Sequence, residues 1–173
     1  DASKQLEAIL RERPTNERAL FVLGGIKRQL DKLEEAAAHF ETVLKINPKF
    51  ELAYYELAGV RLFQNRPTIT LATLKKAGEQ FKPRFITKFY AGLAHSALYQ
   101  YPKAIENLLD AEKLGQAGEQ NRLTHFFYFQ LGAAYERNRQ YETADKTFNK
   151  AIEMSPEYHN AMNYLGYMWA DIN

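Results

Sequence analysis

The chain has 173 residues, no cysteine, one Trp, 11 Tyr and 11 Phe, with 23 Lys or Arg against 21 Asp or Glu, a net charge of +2. Hydrophobic content of 46% and charged content of 25% suit a packed globular chain and exclude a disordered one. Near-neutrality excludes a general polyanion-binding face, and the missing cysteines remove disulfides, thiolate zinc sites and thiol catalysis together. The longest uncharged runs, residues 89–102 and 123–135, fall short of the roughly 18–20 apolar residues of a membrane span, so no direct membrane insertion is expected. One local basic run stands out: Lys75, Lys76, Lys82, Arg84 and Lys88 against Glu79.

Taken in chain order, the residues repeat. The first signature is Leu20-x2-Leu23-Gly24, followed after the short turn at Asp31-Lys32 by Ala36-x3-Phe40-x2-Val43-x4-Pro48. Tyr54-x2-Leu57-Ala58 opens the next copy, with Pro67 placed to start its second helix. Residues 88–92 keep only Ala91-Gly92, then Pro102 precedes Ala104-x3-Leu108-x2-Ala111. Tyr128-x2-Leu131-Gly132-x2-Tyr135 leads to Ala144-x3-Phe148-x2-Ala151-x4-Pro156, and Met162-x2-Leu165-Gly166-x2-Trp169 is a last first-helix copy. Within each copy the large and small residues recur at i, i+3, i+4 and i+7, which predicts amphipathic helices. Small Ala36 would let two helices approach while Phe40 fills the space between them. Prolines 14, 48 and 156 predict helix ends.

These residues resemble the tetratricopeptide repeat, a pattern of large residue, Leu-Gly, Tyr, Ala, Phe, Ala and Pro over about 34 residues. The resemblance implies an all-α fold, a right-handed α-solenoid of stacked antiparallel helix pairs forming a superhelix, with residues 1–173 as a single array. The repeats are 17–50, 51–84, 85–124 and 125–158. A half-repeat at 1–16 (Ala2, Leu6, Ile9, Pro14) and another at 159–173 flank them. Both ends fall mid-repeat and the first residue is Asp1, so the chain is expected to be a segment of a longer array. Thr70 stands where Ala is usual, Pro83 comes one position late, and about six extra residues around Gly115–Gly118 predict a longer turn.

No catalytic constellation accompanies the repeats. The serines, Ser3, Ser96 and Ser155, lie in no nucleophile elbow, and neither Gly24-Gly25 nor Gly115–Gly118 leads to a Lys-Ser/Thr phosphate cradle. His125 and His159 occupy equivalent places but lack a carboxylate at helical spacing, so no metal site is assigned. His95 takes the place of a repeat Tyr and is expected in the core. No cofactor and no enzymatic activity are expected.

The resemblance also implies that first helices line the concave surface. One column there reads Phe21, Tyr55, Phe89, Phe129 and Asn163, and the adjacent one Arg18, Leu52, Ile86, Phe126 and Asn160. Two readings stand side by side. The aromatic residues either pack against the neighbouring first helix, or they form a groove for an extended or helical peptide. Its rims would be Arg18, Arg28, Glu56, Gln130, Glu136 and Arg137. The Lys and Asn clamp with which one subclass of the family holds a C-terminal carboxylate is replaced here by Phe21, Gly25, Tyr55 and Glu56.

The expected function is a non-catalytic protein–protein interaction scaffold that binds a peptide or protein segment in its concave groove. The alternative is an adaptor region of a bacterial envelope protein of this family that recruits an enzyme, such as a protease, or its substrates. The ending Leu165-Gly-Tyr167 to Ala170-Asp171 resembles bacterial multi-repeat proteins. The compartment stays open between periplasm and cytoplasm, leaning to the cell envelope. Nucleic acid is not an expected partner. Apolar faces at Leu6 and Ile9 and at Leu165 and Trp169 are expected to offer surfaces for self-association.

Overall fold

The computed structural model describes residues 2–172, with side chains for residues 3–170. The side chains of Ala2 and Asp171, and Asp1 altogether, lie outside the described residues. The described residues form ten α-helices in two compact units, one ending at Pro83 and the other beginning at Arg84.

Unit 1 holds α1 (Ala2–Glu12), α2 (Glu17–Gln29), α3 (Leu33–Ile46), α4 (Glu51–Phe63) and α5 (Pro67–Gly78). Helices α2 and α3 pack as a pair, as do α4 and α5, and α4 also packs on α3. Unit 2 holds α6 (Phe85–Ala97), α7 (Tyr101–Gly118), α8 (His125–Arg137), α9 (Tyr141–Met154) and α10 (His159–Ile172). Here the pairs are α6 with α7 and α8 with α9, while α8 packs on α7 and α10 on α9.

Each pair closes on one contact between a small residue and a large one. A methyl at Gly24 would lie 2.8 Å from Phe40 Cε1, and one at Gly132 would lie 2.7 Å from Phe148 Cδ1. Both phenylalanines are fully buried. Glycine is needed there for close approach, since no side chain fits beneath the ring. The pair α6–α7 keeps glycine but opposes it with Leu108, and α4–α5 has Ala58 and the smaller Leu74, both buried, at the same repeat positions. Beside them, Thr70 fills the place of the usual Ala because its buried hydroxyl donates to the carbonyls of Ala58 (3.3 Å) and Arg66 (3.2 Å).

The turn inside each pair is the same device four times. Asp31, Asn65, Tyr99 and Arg139 have φ of 55–60°. The residue after each donates its N–H to the carbonyl five back, as from Lys32 to Lys27 and from Gln140 to Tyr135, both at 2.9 Å. This is the Schellman closure, normally built with glycine. The first three turns are 34 residues apart and the fourth follows 40 later. Pro67 and Pro102 lie in the first turns of α5 and α7, where a missing N–H costs no helical bond.

One sequence expectation is corrected. The extra residues of 85–124 do not make a longer turn around Gly115. Helix α7 runs through them for 18 residues, and a 3-10 turn at Gln120–Arg122 follows. Gly115 is buried, and Leu123 packs where its Cβ would be, at 2.7 Å, so the helix is held by tertiary contact through two glycines. Helix α5 stops at Gly78, and Phe81 then turns its ring to Tyr54, centroids 6.1 Å apart.

The packing and the turns can each be tested by substitution. By denaturant unfolding, Phe148→Ala is expected to cost about 3–5 kcal/mol, and Gly132→Ala about 1–3 kcal/mol through overpacking. Gly132→Ala with Phe148→Leu mirrors Ala58 with Leu74 and should be destabilised by about 1 kcal/mol less than the two single changes together; strict additivity would show that the residues do not share space. Arg139→Gly removes a left-handed non-glycine residue and should raise stability by about 0.5–1 kcal/mol in the same assay.

Candidate functional site

The first helices of unit 1 are α2 and α4. Asn16 caps α2, its side chain accepting from the Ala19 N–H at 3.1 Å. On this face Arg18 is exposed and Leu52 is 57% exposed. Phe21 is half-buried, its ring 5.6 Å from Phe40 and 5.0 Å from Phe50. Its free edge lines a shallow hollow of about 250 Å³ with Val22, Gly25, Arg28 and Glu56. There Arg28 Nε meets Glu56 Oε2 at 3.2 Å, so the two rim charges answer each other. Tyr55 is buried and donates its hydroxyl to Glu51 Oε1 at 2.5 Å.

In unit 2, α6 and α8 bring three of the sequence candidates together. Ile86, Phe89 and Phe126 line one pocket of about 370 Å³. Phe89 is its floor, 9% exposed, stacked on Phe85 at 5.5 Å and tilted against Phe127 at 5.8 Å. Phe126 stands edge-on to Phe89 at 6.3 Å and is 43% exposed. The other wall comes from Asn121, Arg122 and Thr124, together with Tyr90. Thr124 is also the cap of α8, accepting from the Phe127 N–H at 3.4 Å. Arg122 Nε lies 3.8 Å from Glu119 Oε2, and the same glutamate accepts the Phe85 N–H at 3.2 Å.

The remaining candidates fall elsewhere. Phe129 is enclosed by the rings of Phe148, Tyr158 and Tyr164 at 5.4–5.9 Å. Asn160 and Asn163 are exposed on α10 and line neither of these two pockets. Tyr55, Phe89 and Phe129 thus pack within their units, and in the adjacent column Leu52 and Phe126 are exposed and Ile86 is half-buried.

Asn121, Arg122 and Thr124 were missed by the sequence reading. The signal was there in the break of period in 85–124, which the structure turns into a pocket wall. His95 is not in the core: half-buried, its Nδ1 is 2.8 Å from Gln100 Oε1 across the Tyr99 turn. Of the basic run, Lys88 bonds Asp110 at 3.0 Å and holds that carboxyl below the usual carboxylate range. His125 sets its ring against Tyr158 at 4.7 Å. Among the described residues no group of three or more His, Asp or Glu side chains is clustered around a common point. At the ends of the chain Leu6 and Leu165 are half-buried, and Trp169 Nε1 donates to Asp145 Oδ1 at 3.0 Å. No helix among the described residues is long and apolar enough to cross a membrane.

The tetratricopeptide-repeat signature matches residues 1–49 and again 127–165, together just over half of the chain. No curated protein sequence matches. Among solved structures, YrrB, described as a TPR protein with an unusual peptide-binding site, aligns at TM-score 0.74 and 17% identity, over 97% of this chain and 84% of that one. MamA from Desulfovibrio magneticus RS-1 aligns at TM-score 0.77 and 22% identity, over 90% and 85%. A thermophilic TPR protein of Thermus thermophilus aligns at TM-score 0.73 and 19% identity, over 97% and 89%. These likenesses show the fold, an all-α solenoid class of stacked helix pairs. The chain belongs to the tetratricopeptide-repeat family. With that membership it is a protein–protein interaction scaffold.

Exposure separates surface from packing in a way that can be measured. Leu52→Ser and Phe126→Ser are expected to leave the unfolding free energy within about 0.5 kcal/mol of the parent, whereas Phe89→Ala should lose about 3 kcal/mol or more.

Proposed function

We propose that this scaffold holds a peptide segment on its first-helix face, with the α6–α8 pocket of unit 2 taking an apolar side chain. One observation carries the reading: Phe126, 43% exposed, stands over a ready-made aromatic floor in a pocket of about 370 Å³. That volume suits a large side chain of a partner. Apolar surface kept in water beside a formed pocket is costly unless a ligand covers it. Asn121 and Arg122 on the wall supply donors for the peptide backbone or a terminal carboxylate. The peptide-binding site named for YrrB is consistent with a groove of this kind in the same fold.

The test is selection of binding peptides from a displayed random library on the folded protein. Selected peptides are expected to share a large apolar residue, and Phe126→Ala and Ile86→Ser should each weaken them about tenfold or more at unchanged melting temperature. Undiminished binding by both folded variants would remove the pocket from the function.

A further inference from the structure

The two units carry one construction in two states. In unit 2, Lys150 of α9 lies over the ring of Tyr128, Nζ 3.8 Å from the centroid, and reaches Glu112 of α7 at 3.4 Å. Next to Glu112, Lys113 pairs with Asp110 at 3.5 Å. Aromatic face, aliphatic stem and the Glu112 carboxylate close the cleft between these second helices, and Asp110 answers Lys113 and, from α6, Lys88. The same repeat positions in unit 1 are Tyr54, Lys76 of α5, and Leu44, Lys45 and Thr42 of α3. The tyrosine and both lysines are kept, and both acids are gone.

The consequence is visible in the surface. Thr42 donates its hydroxyl to the Ala38 carbonyl at 2.8 Å and offers Lys45 no charge. Glu41, at the edge, is held by Arg61. Lys45 and Lys76 therefore have no carboxylate partner among the described residues, and both are exposed. Between α3 and α5 a cleft of about 400 Å³ stands open, with Tyr54 and Leu57 as its floor and Leu44 and Ile69, the latter 45% exposed, as its walls. An apolar trough flanked by two unanswered ammonium groups is complementary to a segment that is apolar on one face and acidic beside it.

We infer that the α3–α5 cleft docks an acidic amphipathic segment of a partner protein. Its apolar side chains lie on Leu44, Leu57 and Ile69, and its carboxylates reach Lys45 and Lys76, supplying from outside the charge that Glu112 and Asp110 supply within unit 2. This surface belongs to the second helices of unit 1 and is independent of the α6–α8 pocket.

The probe is a capped, fluorescein-labelled helical peptide of about 14 residues with Leu at i, i+4 and i+7 and Glu beside them, titrated with the whole chain. Saturable binding that weakens with salt is expected. It should fall about tenfold or more when the peptide's Glu residues are replaced by Gln, and likewise in the Lys45→Gln/Lys76→Gln protein. Leu44→Glu restores the internal carboxylate and should weaken binding to the same degree while melting at or above the parent temperature. Phe126→Ala should leave it unchanged. The lysine pair is exposed, so its variant keeps the test open even if Leu44→Glu fails to fold. The inference is overturned by no saturation at about 1 mM, by equal affinity for the Gln peptide, or by undiminished binding to the lysine-pair variant. It is also overturned if single-stranded RNA of equal charge binds as tightly with the same dependence on Lys45 and Lys76, since the cleft is then a general anion site.

Discussion

Every helix pair in this protein hangs on the distance at which a first helix can approach a second. Where the first helix offers glycine, as at Gly24 and Gly132, a phenylalanine ring lies almost against its backbone. Where it offers Ala58, the residue at the position equivalent to Phe40 is the smaller Leu74, also buried. The residues at the two positions vary from pair to pair, Gly92 meeting the smaller Leu108, and the close-packed interior tolerates the change. Once these contacts are set, the remaining first-helix faces are determined: Tyr54 and Tyr128 point to the second helices, Leu52 and Phe126 are left to solvent, and Ile86 is half-buried.

The turns impose the second constraint. Four non-glycine residues adopt left-handed backbone at matched positions, because the Schellman closure satisfies the last carbonyls of each first helix and directs the chain back along it. Tyr99 and Arg139 accept this conformation at some cost, so the closure and the packing it permits outweigh their intrinsic preference. The extra residues in 85–124 leave these turns intact. They lengthen α7 and add the segment at Gln120–Arg122, and the pocket at Ile86, Phe89 and Phe126 gains its polar wall there.

Charge then distinguishes copies that packing makes alike. The α7–α9 cleft is closed by Lys150 over Tyr128 with Glu112 as counter-ion, and the α3–α5 cleft keeps its lysine and tyrosine but has Leu44 in place of the acid. A repeat protein can in this way hold its fold constant and vary only which surfaces are self-satisfied. The first-helix pocket of unit 2 and the second-helix cleft of unit 1 both set apolar surface beside polar groups, and in the cleft the lysines have no carboxylate partner among the described residues.

The amino-acid sequence by itself determined the helix pairs, the positions of their small and large residues, and the family, because each depends on local spacing that repeats. It also marked the first-helix columns from which the pocket is built. Tertiary structure alone decided which of those residues face water. Phe89 and Phe129 share a column with the expected groove, yet each meets a neighbour that sequence spacing does not reveal: Phe127 and Tyr158. The path of α7 through Gly115 was likewise hidden, since helix propensity argues against it, whereas Leu123 packs where a side chain would stand. Periodicity is a property of one helix, whereas exposure is set by what a second helix brings.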